Sequence, residues 1–498
     1  MQEKNSSAGC GRKVIEIKDG VVRMPAWRMA APVSFTLEEG EQMAIIGENG
    51  SGKSMFIDIV TGSHPLLMVD PKYDFYPSEK KLVSENIKYL TFRDSYGDGD
   101  TSYYLQQRWN QGDLEDDTPH VADLLEQTFL QTGADTPERR AMQKRLYDLF
   151  NIGYVLDKFL ILLSSGELRK FQLIKTLMAE PRVLILDNPF IGLDPATRDS
   201  LRSLLATIIE ERNIQIMLVQ SRAEYIPDFI THVVEVKNME VMPKRTLADF
   251  RASNDYPELK SSLPEDFQSA ATSEEERPSI VKFNNVSIRY GARTILKDLD
   301  IDIRKGEHWA LTGENGAGKS TLLSMVCADN PQSYACDISL FGYKRGTGES
   351  IWDIKKHIGY VSPEMHRAYN RDMPAIRIVA SGLKDSVGLY VRPTEEDYSR
   401  CTSWMEKFGI SHLADKSFLK LSSGEQRLVL LARAFVKDPD LIILDEPLHG
   451  LDSRRCIMVK NIIDDFCSNP EKTMIMVTHY EEELPSCITN RIFLKRNV

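Results

Sequence analysis

The sequence predicts an α/β protein built from one unit written twice, and three observations carry that reading. Paired motifs recur in the same order: GENGSGKS at 47–54 and GENGAGKS at 313–320, LSSGE at 163–167 and 421–425, VLILDNP at 183–189 and LIILDEP at 441–447, GLD at 192–194 and 450–452. The last three pairs share an offset of 258 residues and the first pair is offset by 266, so the first copy carries eight more residues between its Gly-rich loop and LSSGE. VLILD and LIILD are continuous apolar runs, the pattern of strands covered on both faces of a parallel sheet. A chain of 498 residues is also too long for one compact core.

Each copy is expected to run through the same elements. MAIIG (43–47) and WALTG (309–313) are strands leading into the Gly-rich loops, and the residues after each Lys-Ser look helical. LSSGE reads as a helix start, because Ser and Gly there cap the first free N–H groups. VLILD and LIILD end at Asp187 and Asp445, the strand ends where α/β sheets bind ligands. Residues 248–277 are polar and poor in large aliphatics and read as a linker. IVKFNNVSIRY then begins a fresh strand. The expected domains are therefore 12–247 and 278–498, joined by 248–277.

Composition narrows the function classes. With 42% apolar and 27% charged residues the chain is expected to fold. A net charge of −11 argues against nucleic-acid phosphate as its main partner. No run of about 18 apolar residues is present to span a membrane. The start, MQEKNSSAGCGRK, has no apolar stretch to make a secretory signal, nor one ahead of Cys10 to make a lipoprotein site. The seven cysteines lack Cys-x-x-Cys spacing and read as reduced cytoplasmic thiols, mostly small core residues.

The Gly-rich loops carry phosphate chemistry. In Gly47, Glu48, Asn49, Gly50, Ser51, Gly52, Lys53, Ser54, and again in Gly313, Glu314, Asn315, Gly316, Ala317, Gly318, Lys319, Ser320, Thr321, glycines let successive N–H groups turn toward phosphate oxygens. The following helix N-terminus adds positive potential and the lysine reaches the outer phosphates. Ser54 and Ser320 are candidate Mg²⁺ ligands, and Asp187 and Asp445 would hold the ion through its water shell.

Set between such a loop and such an Asp, LSSGE resembles the signature motif of ATP-binding-cassette (ABC) proteins, usually written LSGGQ. Ser165 and Ser423 replace the first Gly, and Glu167 and Glu425 replace Gln, while Ser164, Gly166, Ser422 and Gly424 remain. The resemblance covers nearly the whole chain apart from the linker and the N-terminal tail. It implies two tandem ABC nucleotide-binding domains, each a P-loop α/β core with a helical signature subdomain, that bind and hydrolyse ATP with Mg²⁺. It also implies intramolecular head-to-tail pairing, with each ATP held between one loop and the opposite signature. One site would then join Lys53, Ser54 and Asp187 to Ser422 and Gly424. The other would join Lys319, Ser320 and Asp445 to Ser164 and Gly166.

The two sites differ in the residues the family uses for chemistry. Glu446 matches the family's general base and His479 its switch histidine; the first copy has Asn188 and Ser221 instead. An amide orients water but takes no proton at neutral pH. Tyr290 suits stacking on the base, where the first copy aligns about Arg23. The family's γ-phosphate-sensing Gln is missing from both copies: IGYVSPEMH offers Pro363 and Glu364, and KYLTFRDSY offers Phe92 and Arg93. The first site is therefore expected to be degenerate.

Within the family, the tandem layout, GESIWDIKKHIGYVS (348–362) and Asn188 resemble the ModF-like group associated with molybdate transport genes. That implies an energising subunit docked on an integral membrane permease, cytoplasmic and peripheral on the inner face of the cell membrane. Two other uses remain open: a tandem-cassette factor acting on ribosomes, and a regulator or clamp on nucleic acid. The acidic stretch 94–120, with Tyr103, Tyr104 and Trp109, reads either as a docking surface or as a solvated insertion.

Overall fold

The computed structural model describes residues 11–495 except 69, 93–118, 161–162, 164, 191, 213, 254–276, 291–292, 314–315, 364, 366–368, 370–371 and 386–391. Ser164, Glu314, Asn315, Glu364, Arg93, the aromatics of the acidic stretch and most of the expected linker lie outside the described residues, as does the side chain of Ser165. Two compact units are present, Met1–Tyr256 and Pro257–Val498.

The first unit runs β1 (Lys13–Gly20), β2 (Val33–Glu38), β3 (Met43–Ile46), α1 (Lys53–Val60), β4 (Lys72–Tyr73), α2 (Val83–Asn86), β5 (Ile87–Thr91), α3 (Val121–Thr132), α4 (Pro137–Phe150), α5 (Ser165–Leu177), β6 (Val183–Asp187), α6 (Pro195–Arg212), β7 (Gln215–Gln220), β8 (His232–Lys237), β9 (Glu240–Val241), β10 (Arg245–Thr246) and α7 (Leu247–Ser253). The second runs β11 (Ser279–Tyr290), β12 (Arg293–Arg304), β13 (His308–Gly313), α8 (Lys319–Val326), β14 (Ile338–Leu340), β15 (Tyr343–Lys344), α9 (Ile351–Lys355), β16 (Ile358–Val361), α10 (Ala375–Ser381), α11 (Glu395–Lys407), α12 (Ser423–Phe435), β17 (Leu441–Asp445), α13 (Ser453–Cys467), β18 (Thr473–Val477) and β19 (Asn490–Leu494).

Both units build the same parallel core. Its order is β5-β6-β7-β3-β8 in the first and β16-β17-β18-β13-β19 in the second. The continuous apolar runs have the reason the sequence suggested. Successive residues of β17 point to opposite faces: Leu441 and Ile443 join the core under β11 and β12, while Ile442 and Leu444 join the core under the helices. In β6, Val183 and Ile185 are split from Leu184 and Leu186 in the same way. With both faces covered, alternation with polar residues would bury uncompensated polar groups.

One expectation needs correction. The linker does not begin at 248: α7 occupies Leu247–Ser253 and seats Leu247 and Phe250 in the first unit's helical core. Its two apolar anchors sit three apart in an otherwise polar stretch, too weak a pattern to separate a short docked helix from a linker.

Strand β16 lies hard against the helix that follows the second LSSGE. A Cβ on Gly359 would come 2.3 Å from the Ala434 carbonyl oxygen. Gly359→Ala is expected to force strand and helix apart at a cost of about 1–3 kcal/mol, seen as a lower urea midpoint. Lys88→Ala, at the matching position of the first copy, is expected to stay within about 0.5 kcal/mol.

Candidate nucleotide sites

Each Gly-rich loop joins the C-terminal end of a core strand to a helix N-terminus. Gly52 and Gly318 precede α1 and α8 in the left-handed region, at φ 103° and 97°. A Cβ at Gly318 would lie 2.8 Å from Leu296 Cδ2, so glycine allows both the turn and the close approach of the antiparallel layer. Lys53 Nζ donates to the carbonyls of Gly47 (2.7 Å) and Glu48 (2.8 Å), and Lys319 Nζ to that of Gly313 (2.7 Å). Each ammonium is thus held over its own loop, poised for phosphate oxygens in place of carbonyls. Ser54 and Ser320 are exposed on the first helical turns. Ser51 Oγ is buried in the first loop with no hydrogen-bond partner, a donor the loop itself leaves unused. Serine hydroxyls with Asp187 and Asp445 offer all-oxygen donors, which suit Mg²⁺. These features fit a nucleoside triphosphate and its metal.

In the second unit three neighbouring strand ends converge. Asp445 ends β17 with Glu446 behind it, His479 lies just beyond β18, and the loop follows β13 on the far side of β18. Glu446 N donates to Val477 O at 2.9 Å, tying the turn to β18. Its carboxylate sits between two imidazoles, with His479 Nε2 3.3 Å from Oε1 and His449 Nδ1 3.4 Å from Oε2. Burial alone would raise the Glu446 pKa, but hydrogen bonds to His449 and His479 outweigh it and hold the carboxyl below the usual range. His449 was not singled out from the sequence, where a lone His after a Pro-Leu pair carries no signal.

The first unit keeps the backbone and changes the chemistry. Asn188 repeats the positive-φ turn, at 51° against 47° for Glu446, and its N–H donates to Val219 O at 2.8 Å. Asn188 Nδ2 donates to Asp187 Oδ1 at 2.7 Å, and Tyr89 Oη to Oδ2 at 2.9 Å. Both oxygens of the candidate metal carboxylate are thus engaged by neutral donors. Ser221 takes the place of His479 and is buried.

The helices after LSSGE carry a residue that the motif reading passed over. Arg427, buried on α12, donates to the carbonyls of Ser362 (2.7 Å), Asp445 (2.6 Å), Pro447 (3.2 Å) and Glu446. Burial pushes its pKa down to about 10, partly offset by Asp445 and Glu446. Arg169 repeats the position on α5, donating to Pro189 O at 2.5 Å. The signal was available: both copies read Ser-Gly-Glu-x-Arg. Glu425, in the place of the family's Gln, completes a capping box by accepting from Ser422 N at 2.9 Å and Ser422 Oγ at 2.7 Å. Glu167 pairs with Lys158 at 2.9 Å. Phe92, offered for the missing Gln of the first copy, packs against the helical core beside Arg169.

For the aromatic ahead of each loop the structure indicates a different alignment. Tyr290 Oη accepts from Asn330 Nδ2 at 3.0 Å, and Trp27 stacks on His64 with ring centroids 5.0 Å apart. Asn330 and His64 each stand eleven residues after their loop lysine. Trp27, and not Arg23, therefore holds the place in the first unit that Tyr290 holds in the second.

The profile described as ABC transporter matches residues 30–191 and 296–449, more than half of the chain and one stretch in each unit. The chain belongs to the ATP-binding-cassette family. It is 36% identical over 495 residues to the ABC transporter ATP-binding protein ModF of Escherichia coli (strain K12), covering 96% of both. It is 33% identical to an uncharacterized ABC transporter ATP-binding protein of Schizosaccharomyces pombe, covering 92% of this chain and 93% of that one. In fold it is similar to a chain in the structure of ribosome-bound archaeal Pelota and ABCE1, at TM-score 0.61 and 17% identity over 95% of this chain and 76% of that one. As a member of the family the cassette protein binds ATP and is an ATPase. Among the described residues, no helix is long and apolar enough to cross a membrane.

Removing the Arg427 fork strips a charged donor from four carbonyls, two of them in buried hydrogen bonds. Arg427→Ala is expected to cost about 1.5–3 kcal/mol or more in thermal stability and to lower ATP turnover at least tenfold. Binding of a fluorescent ATP analogue should change by less than threefold, since Arg427 contacts the turn that holds Glu446 and not the phosphate loop.

Proposed function

We propose that the protein works as a cassette pair with one catalytic and one slow ATP site, energising a separate integral membrane partner. The catalytic site would use Lys319, Ser320, Asp445, Glu446 and His479. The slow site would use Lys53, Ser54, Asp187, Asn188 and Ser221. The observation that carries this reading is the contrast at one turn: Glu446 lies between two imidazoles, whereas Asn188 is spent on Asp187.

At the catalytic site the P-loop lysine and helix N-terminus draw the triphosphate in; Ser320 and Asp445 would hold Mg²⁺, which would supply charge neutralisation on the phosphates. Glu446 takes the proton of the attacking water, and His479 orients the carboxylate beside the γ-phosphate. Loss of a general base costs about 10²–10⁴-fold. Glu446→Gln is therefore expected to keep ATP binding and lose at least a hundredfold in turnover, while Asn188→Ala changes turnover less than threefold. Full turnover in the Glu446 variant would overturn the assignment.

The depressed Glu446 pKa also sets a pH window. Its stabilising contribution is complete above the unfolded glutamate value of about 4.3 and is lost as pH falls through the lower folded value. In nucleotide-free melts from pH 3 to 8, wild type should exceed Glu446→Gln in stability at neutral pH, and the gap should close only below about pH 4.

A membrane partner is supported by the similarity to proteins named as ABC transporter ATP-binding proteins. The net charge of −11 and the missing second glutamate weigh against a ribosomal role. Molybdate, if it is the cargo, would be handled by the partner, because the phosphate loops here are committed to ATP. The test is to isolate tagged Glu446→Gln protein from gently solubilised cells with ATP and Mg²⁺. Co-purification of an integral membrane protein supports the reading; ribosomal subunits or nucleic acid overturn it.

A further inference from the structure

A cluster at the opposite end of the second unit's central strand takes no part in ATP chemistry. His308 opens β13, Cys467 closes α13, and Cys487 stands three residues before β19. Nothing in the sequence groups them, since 159 residues separate the first two. Yet the fold brings one ligand atom of each within 4.8 Å of the others. His308 and Cys467 are buried, and Cys487 is half-buried. Five residues of extended strand place His308 about 16 Å from Gly313 of the phosphate loop.

The imidazole is held between two backbone carbonyl oxygens. Nδ1 lies 3.0 Å from the Cys487 carbonyl oxygen and Nε2 3.2 Å from that of Lys472. A neutral ring has one N–H and satisfies one carbonyl. A protonated ring donates to both, with two sulfurs alongside. A metal ion bound by one ring nitrogen and the two sulfurs takes the place of that second proton, and the remaining N–H stays bonded to a backbone carbonyl, the arrangement that fixes the tautomer of metal-bound histidines.

We propose that His308, Cys467 and Cys487 form a binding site for a soft divalent transition metal of the zinc type. Two thiolates and an imidazole are the donor set such ions prefer. A tetrahedral centre with bonds of about 2.0–2.3 Å needs ligand atoms about 3.5–3.8 Å apart, which small side-chain rotations can supply. Binding displaces protons from the cluster and transfers no electrons, so no oxidant is required. Asp464, one turn before Cys467, accepts from Cys487 N at 2.9 Å and positions that residue for the ion. Water takes the fourth place. The metal pins the end of α13 and the segment before β19 to the base of the phosphate-loop strand.

The test uses full-length, nucleotide-free protein, stripped with chelator, desalted and kept reduced with a phosphine, then titrated with Co²⁺. The expected result is one equivalent bound with a near-ultraviolet thiolate-to-cobalt band, displaced by Zn²⁺, and a rise in melting temperature with Zn²⁺. Cys467→Ser and Cys487→Ser lose the band and the rise, and Cys336→Ser, a half-buried cysteine elsewhere in the unit, keeps both. The band separates this site from the oxygen ligands of the nucleotide sites. If Cys467→Ser fails to fold, the half-buried position 487 still decides the matter. No thiolate band in wild type, a band that survives Cys487→Ser, or a Cys467–Cys487 disulfide in protein alkylated at lysis with no metal bound would each overturn the proposal.

Discussion

The rest of each unit depends on holding three parallel strand ends side by side. In the second unit β17, β18 and β13 deliver the acidic pair, the histidine and the phosphate loop to one edge, and β18 spaces the other two. Hydrophobic burial on both faces keeps those ends level: Ile442 and Leu444 anchor β17 on one side, Leu441 and Ile443 on the other. Charged and strained groups at the edge persist because the sheet beneath them is rigid. Glu446 at φ 47° is an example, held by a backbone bond to Val477.

The same edge in the first unit shows how little needs to change to alter its chemistry. Backbone, strand order and the positive-φ turn are kept, and the differences are side chains. Asn188 suits the left-handed turn at least as well as glutamate, so folding does not oppose the loss of the acid. Its amide closes on Asp187, and the fold remains while the proton acceptor is gone. The arginine on the second signature helix ties that helix to the sheet edge: Arg427 donates to the carbonyls on either side of Glu446 and to that of Ser362 at once.

Most of the fold was legible because the repeat and the apolar runs are local patterns with one physical solution. What escaped sequence reading depended on weak or distant signals. The docked helix α7 has only two apolar anchors, Leu247 and Phe250, in a polar stretch. Trp27 was misaligned with Arg23 because the first copy reaches its aromatic through a 3₁₀ turn at Pro25–Trp27 and not along a continuous strand like β11. Glu425 read as a substitution for glutamine and proved to be the capping partner of Ser422.

By itself the sequence determined the chemistry on offer: two phosphate loops, two strand-ending carboxylates, one glutamate and one histidine on one side, their replacements on the other. Those are choices of residue type within short spans, and short spans are what a sequence states directly. Only the tertiary structure decided which groups face one another. It set Glu446 between His449 and His479, closed Asn188 onto Asp187, turned Arg427 inward to the catalytic turn, and gathered His308, Cys467 and Cys487 from three separate elements. Of these, the meetings of Glu446 with His479, of Arg427 with Ser362 and of His308 with the two cysteines span long separations, where the free energy of the whole core, and no local preference, places each side chain.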